Sequence, residues 1–107
     1  MIRNFFRIVA SNPPTESDFY SYERLGISIA RPTARTLRLQ QGISVYSTLE
    51  RTVRQAKQYP HLGSYIAIME IDDERIFVEQ TGRDPAHYTI WADPLALLHT
   101  VATTERA

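Results

Sequence analysis

The feature that most constrains the fold of this chain is its longest unbroken apolar run, the five residues 65–69. A helix needs roughly 20 apolar residues to cross a bilayer, so this run does not predict a membrane span. A short continuous run with Gly63 before it and Asp72-Asp73 after it indicates a buried strand instead. Residues 65–71 are therefore predicted to form the central strand of a sheet.

Composition places the chain among folded proteins. Its 107 residues are 43% apolar and 22% charged, close to the averages of globular domains, and we expect one domain over residues 1–107. The absence of cysteine excludes a disulfide framework, a thiolate nucleophile and a cysteine-built zinc site. The first residues also lack the long apolar segment of a signal peptide, so we expect a bacterial-type cytoplasmic protein that does not bind membranes.

Turn residues and helix caps divide the first half of the chain into short elements. Thr15 and Gly26 are suited to cap and end a helix over residues 16–25. Ser47 and Glu50 have the spacing of a capping box, in which each side chain bonds the other residue's free backbone N–H. The remaining predictions are a strand over 5–9, a strand over 43–46 and an amphipathic helix over 48–58.

Residues 27–42 allow two interpretations. Leu37 and Leu39 alternate with polar residues as they do in a strand, whereas Thr33 and Gly42 suit the start and end of a helix over 34–41. We favour the helix, and the alternatives are a strand or a lid.

The second half predicts more strands than helices. The turn at Asp72-Asp73 predicts a hairpin between the central strand and a strand over 75–79. A last strand is predicted over 87–91, then a helix opened by Asp93-Pro94 that extends to Val101, and a frayed tail over 103–107. The order of elements predicts an α+β domain with a mixed or antiparallel sheet and three to four short helices.

Charge is balanced in total but not along the chain. Residues 1–57 hold nine basic and four acidic side chains, and residues 58–107 hold three and eight. A basic surface could hold a nucleotide or a nucleic-acid backbone through five arginines: Arg31, Arg35, Arg38, Arg51 and Arg54. We favour the alternative that the two halves attract each other, within the fold or in a homodimer, because nucleic-acid domains normally carry a net positive charge.

No catalytic fingerprint is present. The four glycines are too scattered for a phosphate-binding loop, and the three histidines lack the spacing of metal ligands, so we expect no metal. The acidic triplet at residues 72–74 could attract a cation, but the tip of a hairpin explains it more simply. The polar residues of interest lie on strands and at the start of a helix, where small domains bind anionic ligands: Arg7, Ser44, Tyr46, Thr48, His87, Thr89 and Trp91.

A family resemblance is carried by the order of these segments. A first strand with an early arginine, then Gly42-Ile43-Ser44-Val45-Tyr46-Ser47-Thr48 running into a helix, a central strand, and His87-Tyr88-Thr89-Ile90-Trp91 before Asp93-Pro94 resembles the ADP-ribosyltransferase-like fold. That fold also includes the RNA 2′-phosphotransferases. The resemblance extends from Phe5 to about Val101 and implies a split sheet whose cleft holds NAD or a related nucleotide.

The resemblance also implies roles for individual residues. Arg7 and His87 would be the catalytic pair, with Arg7 on the pyrophosphate and His87 at the ribose hydroxyls. Tyr46 would stack on or bond the nicotinamide ribose, and the remaining cofactor contacts would come from Ser44, Thr48, Thr89 and Trp91. Many of these transferases have a glutamate where this chain has His87, and Glu79 is the nearest substitute. The alternative to a nucleotide-binding protein is a non-enzymatic interaction domain that binds a protein partner or a second copy of itself.

Overall fold

The continuous apolar run forms β3 (Tyr65–Asp72) in the computed structural model, which describes residues 1–28 and 30–107. On one side β3 pairs with β1 (Ile2–Val9), and on the other side it pairs with β6 (Val101–Arg106). The neighbouring residues Ile66 and Ala67 point to opposite faces of the sheet, and both are buried. The central strand that the sequence predicts is confirmed.

The sheet has six strands in the order β4-β5-β2-β1-β3-β6, and every pairing is antiparallel. The other three strands are β2 (Ile43–Tyr46), β4 (Phe77–Gln80) and β5 (His87–Trp91). We call β1, β3 and β6 the apolar half of the sheet, and β2, β4 and β5 the cleft half. The two halves meet where β1 pairs with β2, and Phe6 lies opposite Tyr46 there. The α+β class is confirmed.

The described residues form four short helices. α3 (Leu49–Gln58) lies against β1 and β2, and α4 (Pro94–Leu98) lies against the 3₁₀ turn Glu16–Phe19, where Phe19 and Leu97 enter the core. None of the helices in the described part of the chain has the length and apolarity that a membrane crossing requires. The remaining elements are α1 (Tyr22–Leu25), α2 (Ala34–Gln40) and a second 3₁₀ turn, Pro60–Leu62.

The predicted helix over residues 16–25 is wrong as one element. It is divided into the first 3₁₀ turn and α1, because Tyr20 has an extended backbone with ψ of 132°. Ser21 then caps α1 by accepting a hydrogen bond from the Arg24 backbone N–H, and Gly26 ends α1 in the left-handed region with φ of 72°. The start and the stop were therefore predicted, and the break between them was not.

The other helix predictions hold with one correction. The helix over 34–41 is confirmed as α2, and Thr33 caps it. The strand alternative for residues 27–42 therefore fails over α2, while residue 29 lies outside the described residues. The cap of α3 is Thr48, whose Oγ1 atom accepts a hydrogen bond from the Arg51 backbone N–H, so the predicted capping box at Ser47 is wrong by one residue.

Two predictions about the second half are wrong. β3 does not form a hairpin with the next strand, because β4 pairs with β5 and both sides of β3 are occupied by β1 and β6. The acidic triplet is therefore at a turn but not at the tip of a hairpin, and Glu74 donates its backbone N–H to Asp72. The predicted frayed tail over residues 103–107 and the predicted helix end at Val101 are both wrong, because β6 begins at Val101 and continues to Arg106.

Candidate functional site

A cleft of about 630 Å³ opens where β1 and β2 meet, a size typical of small-molecule sites. Its walls come from both halves of the sheet, from α2 and α3, from residues 20–22 and from the second 3₁₀ turn. Five of the seven residues singled out from the sequence line it: Arg7, Ser44, Tyr46, His87 and Thr89. Residues far apart in sequence are thus brought into one concave surface.

Arg7 forms part of the floor of this cleft. It lies on the same face of β1 as the buried Phe5 and Val9, so its long side chain leaves the core toward the opening between the strands. Its Nε atom donates to the Asp18 backbone carbonyl at 2.8 Å, and its Nη1 atom donates to the Ser44 backbone carbonyl at 2.7 Å. Two carbonyls from different elements therefore hold the guanidinium in one position.

The charge of Arg7 has no carboxylate partner in the described part of the chain. The nearby Asp18 carboxylate bonds instead to the backbone N–H groups of Ala10 and Thr15 and to the Ser11 hydroxyl. Burial lowers the pKa of Arg7 to about 10, opposed by the charge of Asp18, and the side chain is still charged at neutral pH. A fixed, incompletely paired cation in a cleft attracts an anionic group.

The opposite wall is a chain of hydrogen bonds on the cleft half of the sheet. The buried hydroxyls of Thr81 and Thr89 lie 2.7 Å apart, and the Nδ1 atom of His87 is 3.1 Å from the Thr81 hydroxyl and 3.0 Å from the Thr81 carbonyl. The backbones of Thr81 and His87 are also joined, since the Thr81 N–H donates to the His87 carbonyl at 3.1 Å. The imidazole is therefore fixed against one edge of the 81–87 loop.

Tyr46 stands at the junction between this cleft and a shallower cleft of about 480 Å³. Its ring meets the His87 ring edge to face at 5.4 Å, and the guanidinium of Arg51 lies 5.4 Å from its centre. Burial raises the pKa of the Tyr46 hydroxyl, which is therefore a neutral donor at physiological pH. Arg51 is in turn paired with Asp84 at 2.6 Å, so the wall of the second cleft is braced by an ion pair.

The other two predicted residues lie outside the lining of either cleft. Thr48 caps α3, as described above. Trp91 donates its Nε1–H to the Arg38 carbonyl at 2.9 Å and lies under the Arg38 guanidinium, so it fastens α2 to β5. Glu79 is also outside the lining and pairs with Arg38 at 3.2 Å, so it does not stand in for the family's glutamate in the cleft.

The lining includes residues that were not predicted as part of a nucleotide site. Aromatic and imidazole side chains come from the ends of helical elements around the cleft: Tyr20, Tyr22, Tyr59 and His61. Of these, the sequence suggested only Tyr59, as a stacking platform for a nucleic acid. Thr81 was assigned to a loop without a role. An aromatic residue beside a turn residue at the end of a helix, as in Tyr59-Pro60, was the signal available for part of this set.

Part of the charge asymmetry is matched within the fold. Arg38 and Arg51 from the basic half of the sequence pair with Glu79 and Asp84 from the acidic half, and Arg54 pairs with Glu50 on α3. Three of the five arginines proposed as a basic surface are thus matched by carboxylates. Among the described residues, no group of three histidine or acidic side chains has the arrangement of a metal site.

Comparisons with protein-family models, with curated proteins and with solved structures find no match to this chain.

Proposed function

We propose that the cleft binds NAD or a related nucleotide and that the protein does so in the cytoplasm. The observation that carries this proposal is the guanidinium of Arg7, held by two backbone carbonyls in a cleft whose described lining contains no aspartate or glutamate. Arginine recognises phosphate through a planar set of donors, and a cation already fixed in place loses little freedom on binding. A pyrophosphate is the anion we assign to it.

The rest of the lining supports a ligand with rings and hydroxyls attached to that anion. Tyr20, Tyr22 and Tyr59 bring aromatic rings to the lining, and Thr89 and His87 bring polar groups. The cleft has a volume of about 630 Å³, and its lining is predominantly apolar with a few convergent polar groups, as in small-molecule sites. A nucleotide satisfies all three requirements, with a base or nicotinamide on the aromatic rings and ribose near His87.

The proposed function is binding, with slow chemistry at most. Among the described residues that line the cleft there is no aspartate or glutamate. A transferase that cleaves the nicotinamide bond develops positive charge on the ribose, and a nearby fixed negative charge would stabilise it. His87 cannot supply that charge in any protonation state, so we expect NAD to bind with little release of nicotinamide.

The experiment is a thermal-unfolding scan of the protein with and without millimolar NAD, with released nicotinamide measured in the same tubes. Ligand at about 100 times its dissociation constant adds about 2.7 kcal/mol, or about 10 °C for a domain of this size. Parallel scans with ADP-ribose and with nicotinamide show how much of the NAD-induced shift in melting temperature each end of NAD contributes. We expect ADP-ribose to retain most of it, because the pyrophosphate meets Arg7.

Matched arginine variants assign the site. Arg7→Ala should remove the shift, and Arg7→Lys should keep part of it, because lysine retains the charge without the planar donors. Arg54→Ala is the control, since that arginine is exposed on α3 and outside the cleft. A wild-type protein with no shift contradicts the proposed function, and a full shift in a folded Arg7→Ala protein contradicts the assignment of the cleft.

A further inference from the structure

His87 is positioned by the backbone of its own loop. Nδ1 lies 3.0 Å from the Thr81 carbonyl oxygen, an atom that can only accept hydrogen bonds. A lone pair on Nδ1 would face the lone pairs of that oxygen and be repelled, whereas an Nδ1–H group would bond to it. The proton of a neutral His87 ring therefore belongs on Nδ1.

The other ring nitrogen is left open. Nε2 has no hydrogen-bond partner in the described chain, and the one polar side-chain atom there that is buried without a partner is Arg51 Nη1. Nε2 must therefore be reached by solvent, and His87 lines both clefts at their junction. A neutral ring with its proton on Nδ1 presents a lone pair at Nε2.

The loop that carries this arrangement is tied together. The Gln80 side-chain amide donates to the carbonyls of Thr81, Gly82 and Asp84 at 3.1, 3.3 and 3.0 Å. Asp84 also accepts from the Ala86 backbone N–H at 2.9 Å. The Thr81 carbonyl is thus held in place before any ligand arrives, which is what a positioning group requires.

We propose that Thr81 is a positioning residue that fixes His87 as a neutral hydrogen-bond acceptor, with Nδ1–H on the Thr81 carbonyl and the Nε2 lone pair directed to a hydroxyl group of the bound ligand. The ligand part of this inference rests on the proposed function, and the tautomer part does not. The ligand class is thereby restricted to nucleotides with a free hydroxyl group, and His87 takes a role that a cationic side chain does not reproduce, because a cation has no lone pair to accept the hydroxyl hydrogen.

The first test needs no ligand. Long-range ¹H–¹⁵N correlation spectra of the ¹⁵N-labelled protein at a pH of about 8, above the ordinary imidazole pKa of about 6.5, report which nitrogen carries the proton. His61→Gln and His99→Gln variants assign the three rings. We expect a protonated-type shift on Nδ1 of His87 and a lone-pair-type shift on Nε2, and the reverse pattern overturns the inference.

Variants of Thr81 distinguish the effect of its carbonyl on the His87 tautomer from the effect of its hydroxyl. Thr81→Val removes the hydroxyl and leaves the carbonyl, so the Nδ1–H tautomer should persist. Thr81→Ser, which keeps the hydroxyl, is the matched control. A ring that changes to the Nε2–H form in Thr81→Val alone overturns the assignment to the carbonyl.

The ligand arm uses NAD and its deoxyribose analogues as probes. Adding NAD should shift the Nε2 signal in the direction of an accepted hydrogen bond. His87→Phe should bind NAD about three- to tenfold more weakly, the usual effect of one hydrogen bond, and His87→Gln should recover part of that loss through its amide oxygen. Analogues lacking the contacted hydroxyl should bind wild type and His87→Phe equally.

The outcomes separate the two proposals. Absence of any NAD effect on the wild-type protein refutes the proposed function and the ligand part of this inference together. An Nε2–H ring in a protein that still binds NAD refutes the inference and leaves the proposed function standing. Equal NAD affinity in wild type and His87→Phe likewise refutes the hydroxyl contact alone.

Discussion

The two halves of the sheet differ in length, polarity and the use made of their side chains. In the apolar half, β1 and β3 pair through eight register positions from Ile2–Asp72 to Val9–Tyr65. In the cleft half, β2 and β5 pair through four, and the side chains buried there include the hydroxyls of Thr81 and Thr89. Long continuous pairing around an apolar strand stabilises the domain, whereas short strands leave room for polar groups.

This difference indicates a division of roles. Ala67, Met69 and Ile71 of β3 belong to the core, and no residue of β3 lines the cleft, whereas five residues of β2 and β5 line it: Ile43, Ser44, Tyr46, His87 and Thr89. Arg7 links the halves, since it starts on β1 and bonds to the Ser44 carbonyl of β2. Apart from Arg7 and Ile8, which line the cleft, substitutions in the apolar half should therefore change stability, and substitutions in the cleft half should change both stability and binding.

The largest effect is expected for Met69→Ala. Met69 is completely buried in the core on β3, and its replacement removes apolar contacts and leaves a cavity. The expected loss in the free energy of unfolding is about 2–5 kcal/mol, measured by urea denaturation followed by circular dichroism. The NAD-induced shift in melting temperature should persist while the variant is folded. A loss below about 1 kcal/mol contradicts the importance assigned to this half.

A smaller effect is expected for Thr89→Val in the cleft half. The substitution keeps the shape of the side chain but removes the hydroxyl that lies 2.7 Å from the buried Thr81 hydroxyl. Losing one partner of a buried hydrogen bond costs about 1–3 kcal/mol. Thr103→Val on the exposed edge strand β6 is the control, with a change within about 0.5 kcal/mol. Equal effects of the two variants would show that the buried hydroxyl pair contributes nothing.

Acid should affect the cleft half through Asp84. Its hydrogen bond from the Ala86 backbone N–H, together with Arg51, lowers the pKa of the Asp84 carboxyl below its ordinary value of 3.8. A carboxyl with a lower pKa in the folded state stabilises that state above pH 3.8, and the contribution is lost as the pH falls from 3.8 through the folded value. The free energy of unfolding, measured by urea denaturation at several pH values in this range, should fall more steeply with decreasing pH for wild type than for Asp84→Asn. Equal slopes for the two proteins contradict the prediction.

The apolar half also shows what the sequence could and could not predict. β3 was predictable because one of its faces is buried at Ala67, Met69 and Ile71 and the other at Ile66, so that residues 65–69 form a continuous apolar run. β6 was not, because it is a polar edge strand over Val101–Arg106 whose pairing comes from the open side of β3. The prediction of a hairpin after β3 was wrong for a related reason. The local sequence indicates a turn, but it does not indicate which strands pair with each edge of β3.

The candidate site was predictable in part for a different reason. Polar residues on predicted strands, such as Ser44 and His87, pointed to a common face once the strands were adjacent. Thr81, Tyr20 and Tyr59 lie in loops or at the ends of elements, where position depends on tertiary contacts that periodicity does not encode. Thr48 illustrates the opposite error, since its place at the start of a helix suggested a ligand contact and its hydroxyl caps the helix instead.

The smallest effect is expected outside both halves, at the exposed pair of Glu50 and Arg54 on α3. Their side chains are 84% and 66% exposed, and the closest nitrogen and oxygen atoms are 3.5 Å apart. An exposed pair four residues apart on a helix contributes about 0.3–0.5 kcal/mol, so Arg54→Gln should lower the free energy of unfolding by that amount at low salt. In about 1 M salt, where the screening length is about 3 Å, the two proteins should be equally stable. A salt-independent loss above about 1 kcal/mol would instead mean that Arg54 packs against the domain, and α3 would then belong to the part of the molecule that determines stability.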